Sequence, residues 1–517
     1  MGKKKPTHWQ TNLSKTTRPA NGNGGQTIEE AARYHMNTHS AHPQHFKIAR
    51  LKEIKSYIST FKNTKSPGPD RLQNILLKNL PRKGLILLTR LTNQILKLGH
   101  FPQSGNAGKT VPVHKPGKPP HLPSRYRPIT LLNTMRKTIE KVILTRIKGH
   151  LTEHNIIPHC QYEFRERHST LHPLCRITED TITNFSKRKN TSAIFIDLEK
   201  AFDSIWIEGL IYKLIILQFP TYLINTISSY LTHCTSYVHT SRGRSSARTV
   251  PAGVPQGSIL GPVLFNIYIH DLPEHQNTTL LTYADDITIY TSSRSGKLIT
   301  RHLQAHLDHI RDYCQKWRLK ISASKTEALF LTRRYTANIH KIKLEDREPT
   351  WQPQAKYLGV TLDKKLIFKA HTQNTMTQAK RTKGTLLPLL KHNSPLNTNL
   401  KTILYKTLIR PIITYASQTW ITAAHTHKHK IQILQNDIIR LILNKYRDPN
   451  TRHYYRTEHI HEEVNLPTIT DFCTKTAKNF LKRYRENENP TINTIWTANE
   501  GNNWFTGHLL LGSRTTN

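Results

Sequence analysis

Acidic residues are scarce in this chain of 517 residues: 34 Asp and Glu stand against 76 Lys and Arg, a formal charge of +42. A deficit of that size argues against a polycationic partner and for a polyanionic one, because each phosphate neutralised by Lys or Arg releases condensed counterions. The basic residues recur over 82–97, 109–148, 311–334 and 364–410, so a single basic tail does not account for them. Cysteine is scarce as well. Cys160, Cys175, Cys234, Cys314 and Cys473 are too widely spaced for C-x-x-C metal binding, and five cannot all pair. They read as small packed side chains of a protein in a reducing compartment. Long apolar runs are missing too. A bilayer-spanning helix needs about 18 apolar residues, and the richest stretch, 210–224, is broken by Lys213, Gln218 and Pro220. The first ten residues, MGKKKPTHWQ, are basic with no apolar stretch behind them, unlike a secretory signal. The expectation is an intracellular protein of nucleus or cytoplasm with no membrane partner.

Residues 1–45 are rich in Lys, Thr, Asn, Gly and His without periodicity and are expected to be a basic disordered segment. Ile48, Leu51, Ile54, Ile58 and Phe61 then recur at helical spacing, so 46–100 reads as a helical extension, interrupted by SPGPD at 66–70. Residues 102–125, around VPVHKPGKPP, predict short strands and a basic loop, and helical spacing returns at 131–151. SAIFIDL (192–198) is an unbroken apolar run ending in an acid, and LLTYADDITIY (280–290) flanks two acids with β-prone residues. Both predict buried strands. Helices are expected over 207–231, 257–270 and 299–318, and short strands near 327–332 and 356–362. Beyond residue 375 the spacing is helical again, while 461–517 is a polar, weakly patterned tail.

The acids carry the chemistry. A buried carboxylate costs several kcal/mol unless it is paired or coordinated, yet Asp197, Asp285 and Asp286 lie in or beside apolar strands. No Lys or Arg occurs in 280–291 to neutralise the adjacent pair. Neighbouring carboxylates repel, and a divalent cation removes the conflict. Oxygen ligands point to Mg²⁺ or Mn²⁺ over zinc. Two such ions about 3.5–4 Å apart serve phosphoryl transfer. A lone DD is more often a surface turn; the second acidic strand and the motifs between shift the balance.

FIDLEKAFDSIW (195–206) and YADD (283–286) resemble the metal-binding motifs of reverse transcriptases. The resemblance continues in order through KSPGPDRL (65–72), KPGKPPHLPSRYRPITLLNTMRKTIEKVILTRI (115–147), QYEFRERHST (161–170), GVPQGSILGPVLFNIYIHDLP (253–273), WRLKISASKTEALF (317–330) and KYLGVTLD (356–363). It is closest in kind to the jockey group of non-long-terminal-repeat retrotransposons. The fold implied is α+β, a right-hand polymerase with fingers and an antiparallel-sheet palm over 101–365, a helical thumb over 366–460 and a tail after it. The resemblance makes Asp197, Asp285 and Asp286 the catalytic metal ligands, with the Leu198 carbonyl completing a site. Phe202 matches the gate that excludes a ribose 2′-hydroxyl. Lys115, Arg127, Gln256, Gly257 and Lys325 match positions about the incoming nucleotide. Tyr357, Leu358 and Gly359 match the turn that grips the primer.

The implied activity is RNA-directed DNA polymerisation by two metal ions, with an RNA template, a DNA primer or target and dNTPs as partners. The alternative is a decayed product that retains mainly RNA binding. Three residues depart from the family pattern: Glu163 and Arg71 stand where glycine is usual, and Cys234 where a basic residue is frequent. Residues 1–60 are too few for the apurinic-type endonuclease that precedes the polymerase in this group, so the resemblance implies a polymerase without that domain.

Overall fold

The unbroken apolar run ending at Asp197 is the central strand of a sheet, hydrogen-bonded on both edges, which is why it lacks polar alternation. The computed structural model describes residues 24–38 and 46–492 except 116, 118, 120–124, 241–242, 335–338, 345–347, 350, 422, 451 and 486. The chain divides into two compact units. One comprises Met1–Phe164, Leu198–Pro273 and His309–Ser322; the other comprises Arg165–Asp197, Glu274–Asp308 and Ala323–Asn517.

In the first unit, β1 (Ala107–His114) and β2 (Tyr126–Leu131) form an antiparallel hairpin. The second unit begins its sheet with β3 (Asn190–Asp197). Back in the first unit, β4 (Thr235–Thr240) runs parallel to β1 and takes β5 (Gly243–Arg244) and β6 (Arg248–Thr249) as short partners. Val142, Ile143 and Ile147 of helix Thr134–Glu153 form the core with Leu210 and Leu214 of Ile207–Ile216 and Leu264 and Phe265 of Gly261–Tyr268. The single helix expected over 207–231 is two. Gln218 adopts a left-handed turn (φ 56°) and Pro220 starts the second helix, Thr221–Leu231. The helix expected from 257 begins at Gly261, whose amide donates to Ser258 Oγ (2.8 Å).

In the second unit, the strands β7 (Thr279–Tyr283), β8 (Asp286–Ser293), β9 (Glu327–Leu331) and β10 (Trp351–Gln352) join β3 in the order β10-β9-β3-β8-β7. All pairings are antiparallel except β9 with β10. Helix Leu171–Ser186 packs on this sheet, and β11 (Gln354–Tyr357) and β12 (Val360–Asp363) form a separate hairpin. Helices Lys369–Leu390, Thr398–Leu404, His425–Leu443 and Ile469–Arg485 follow.

Two further expectations are corrected. Part of the segment expected to be disordered is helix Gly24–Thr38, because Ile28 and Ala32, one turn apart, bury against helix Ile207–Ile216; residues 1–23 and 39–45 lie outside the described residues. The segment expected to be a polar tail contains helix Ile469–Arg485, whose buried stripe is Ile469, Cys473, Ala477 and Leu481. Two of those four are small, so the stripe is weakly hydrophobic despite its regular spacing. Residues 493–517 lie outside the described residues.

Candidate active site

The second unit gathers the acids. Asp197 ends β3, and the antiparallel register sets it opposite Asp286, the first residue of β8. Asp286 in turn pairs with Tyr283 at the end of β7, leaving Ala284 and Asp285 as a two-residue turn. Ala284 makes that turn by adopting a left-handed conformation (φ 51°). Directly opposed residues bring their Cβ atoms to about 4.5–5.5 Å, where like charges repel. Burial and then repulsion from Asp197 push the Asp285 carboxyl above the usual range, against the pull of a backbone amide and Lys325. Loss of solvent and then repulsion from Asp285 and Asp197 push Asp286 up to about 6. Repulsion is the part of that shift on which a cation would act.

Lys325 Nζ lies 2.6 Å from Asp197 Oδ2. Among the described residues no group of three His, Cys, Asp or Glu side chains converges closely enough to hold a metal ion. The donor set nevertheless fits one: hard carboxylate oxygens whose mutual repulsion a divalent cation would relieve.

Of the three residues expected at the primer, Tyr357 is buried (3% exposed) with its ring 5.0 Å from that of Phe195. It is a packing element under the turn. Leu358 and Gly359 form the accessible turn between β11 and β12, and Tyr415 donates its hydroxyl to Leu358 O (2.8 Å).

The remaining candidates lie in the first unit. Phe202 is half-buried, with its ring stacked on Phe265 at 4.7 Å and edge-on to Phe164 at 6.4 Å. Gln256 Nε2 donates to Asp203 Oδ1 (2.8 Å), and Thr130 donates its amide to Gln256 O (2.7 Å). Gly257 has φ 113°, and a Cβ there would meet Thr130 O at 2.6 Å, so both the turn and the contact with β2 require glycine. Lys115 follows β1 and donates its amide to Arg125 O (2.8 Å); Arg127 is exposed on β2, opposite Val113. Both lie at the end of this hairpin where β1 leads into β2. Leu198 is buried and bridged to Ile321, while Glu199 pairs with Lys320 at 3.2 Å.

Of the departures, Arg71 does adopt the conformation that favours glycine (φ 58°). Glu163 does not; the left-handed residue is its neighbour Phe164 (φ 59°). Cys234 is buried, with its thiol 3.3 Å from Tyr230 O.

One cluster was missed. Arg136 and Glu140, both fully buried, pair at 2.9 Å; Tyr230 donates to Glu140 Oε1 (2.7 Å) and the Ile259 amide to Oε2 (2.8 Å). Arg136 also donates to Gly105 O and Asn106 Oδ1. The network ties the segment after Gln256 to helix Thr134–Glu153. Its sequence signal was an i, i+4 Arg–Glu pair, which on most helices marks a solvated face.

The family described as "Reverse transcriptase (RNA-dependent DNA polymerase)" matches residues 113–362. The chain is 34% identical over 448 residues to a Drosophila melanogaster protein named as the probable RNA-directed DNA polymerase from transposon BS, covering 85% of this chain and 49% of that protein. It is 32% identical over 457 residues to the RNA-directed DNA polymerase from mobile element jockey of the same species, covering 87% and 49%. To the X-element protein of that fly it is 32% identical over 444 residues, covering 84% and 48%. The chain thus spans about half the length of the curated relatives it matches.

Proposed function

We propose, from the premise that this chain belongs through residues 113–362 to the reverse transcriptase family, that it extends a DNA 3′ end with deoxynucleotides on an RNA template. The observation that carries this reading is the register of β3 and β8, which opposes Asp197 to Asp286 with Asp285 in the adjoining turn. On this reading the three aspartates hold magnesium or manganese. Bound there, the ions would supply Lewis-acid stabilisation of charge developing on the transferred phosphate. Lys325 carries positive charge beside Asp197 for the leaving group. Phe202, fixed by its stack on Phe265, bars a ribose 2′-hydroxyl. Lys115 and Arg127 meet the triphosphate, and the Leu358–Gly359 turn meets the primer. Residues 101–365 then serve as fingers and palm and 366–460 as thumb. The excess of positive charge serves RNA and DNA binding, in the nucleus or the cytoplasm.

The test is primer extension on a primed RNA template with purified protein. Mg²⁺- or Mn²⁺-dependent dNTP incorporation, lost in Asp285→Ala, is the expected result. Normal incorporation by Asp285→Ala would remove the acids from the mechanism. Salt-sensitive RNA binding with no incorporation by the unaltered protein under any divalent metal would favour a binding protein instead.

A further inference from the structure

Gln256 ends a segment that lines a cavity. Residues Val250–Gln256 line a cavity of about 310 Å³, whose other walls are β1, β2, β4 and the buried side chains of Arg136 and Cys234. Gln256 lines this cavity, and a side chain facing open space has fewer packing partners, so a hydrogen bond can set its orientation. The main chain of this segment is anchored by Gly253 N–H to Ile205 O (2.9 Å), Val254 N–H to Phe202 O (2.9 Å) and Thr130 N–H to Gln256 O (2.7 Å). Gly253 (φ 86°) lies so close to Asp203 that a Cβ would fall 2.6 Å from its carbonyl oxygen. The side-chain amide of Gln256 is anchored by the 2.8 Å bond from Nε2 to Asp203 Oδ1.

That bond has a chemical consequence. A glutamine amide offers two donors at one end and an acceptor at the other, and its two ends are nearly isosteric. A carboxylate is an acceptor, so it binds the NH₂ end and turns the oxygen outward. From this geometry we infer that Asp203 is a positioning residue: it fixes the amide of Gln256 so that Oε1 is presented as a hydrogen-bond acceptor to a donor group of the incoming nucleotide. The inference rests on the polymerase reading of Gln256. Asp203 itself touches no substrate in this scheme. Its carboxyl is held above the usual range by burial, against the donation from Gln256, as fits a group facing inward rather than toward solvent.

Reversing the bond is the decisive experiment, because a merely structural role would not respond to it. Gln256→Glu sets two carboxylates against each other, and a raised KM for dNTPs, by at least tenfold, is expected at pH 8 with kcat little changed. The acid form of that glutamate can again donate, so the defect should shrink as pH falls. Adding Asp203→Asn restores a donor–acceptor pair in the opposite sense. The asparagine NH₂ binds one glutamate oxygen and the other is left outward as an acceptor. The double variant should return KM to within threefold of the unaltered protein and lose the pH dependence. Asp203→Leu and Gln256→Leu should each raise KM, and their combination should be no worse than Gln256→Leu alone.

Failure of Asp203→Asn to rescue Gln256→Glu, or multiplication of the two leucine effects, would overturn the inference while leaving polymerase activity in place. If the leucine variants do not fold, the rescue pair, which preserves shape, decides alone. Absence of incorporation by the unaltered protein would sink the polymerase reading and this inference with it.

Discussion

The ammonium of Lys325 sits 2.6 Å from Asp197 Oδ2, on the same β3 terminus that faces Asp286 across the sheet. A lysine in that place does part of what a divalent cation would do, and it competes with one. Lys325→Met should therefore lower the melting temperature of the metal-free protein and enlarge the upward shift that saturating Mg²⁺ or Mn²⁺ produces. Thermal melts of both proteins, with chelator and with metal, read this directly. An equal metal-induced shift in the two would show that Lys325 and the metal do not share Asp197.

The raised carboxyl of Asp286 gives a pH dependence with a definite sign. Its folded-state value of about 6 lies above the ordinary aspartate value of 3.8, so between those limits the native protein binds more protons than the unfolded chain. Stability contributed through this group is then present at low pH and lost as pH rises from about 4 to about 6. Asp286→Asn should flatten that part of the stability profile of metal-free protein. Metal binding should weaken as pH falls through about 6, because the ligand must give up its proton. Urea midpoints for both proteins across this range, without and with Mg²⁺, make the comparison. A variant whose profile parallels the unaltered protein would remove Asp286 from the repulsive group.

Phe202 owes its position to the ring of Phe265, 4.7 Å away and nearly parallel. Phe202→Ala should open the space that a 2′-hydroxyl needs, and the preference for dNTPs over NTPs should fall by at least tenfold. Phe265→Leu, which keeps bulk but loses the stack, should lower it less. Single-nucleotide incorporation kinetics with each substrate provide the ratio; an unchanged preference in Phe202→Ala would make this ring a packing residue.

The acids and the strands that carry them were legible in the sequence because a carboxylate inside an apolar run violates burial chemistry, and the violation is local. The turn at Ala284–Asp285 was not legible in β propensity, which read 280–290 as one strand, whereas Tyr283 pairs with Asp286 across it. Partners that depend on distant segments were not legible. Nothing in AFDSIW indicates that Asp203 meets Gln256, 53 residues on, or that Arg136 and Glu140 point inward. The last helix was hidden for a different reason: Cys473 and Ala477 bury well but contribute little hydrophobicity to a window.

The missed Arg136–Glu140 pair also makes a stability prediction. Glu140 accepts from Arg136, from the Tyr230 hydroxyl and from the Ile259 amide, and all three side chains of the cluster are buried. Glu140→Ala strips the guanidinium of its counter-charge and leaves two further donors unmet, a change worth about 3–5 kcal/mol in comparable buried pairs. Tyr230→Phe removes one bond to a charged acceptor and should cost about 1.5–3 kcal/mol. Arg136→Met with Glu140→Leu removes both charges together. It still abandons Gly105 O, Asn106 Oδ1, the Tyr230 hydroxyl and the Ile259 amide, so it should remain below the unaltered protein yet lose less than Glu140→Ala alone. Urea unfolding of the three variants gives the order. If the double replacement is the least stable of the three, the ion pair itself is a net contributor to stability and the cost does not come from leaving one charge unpaired.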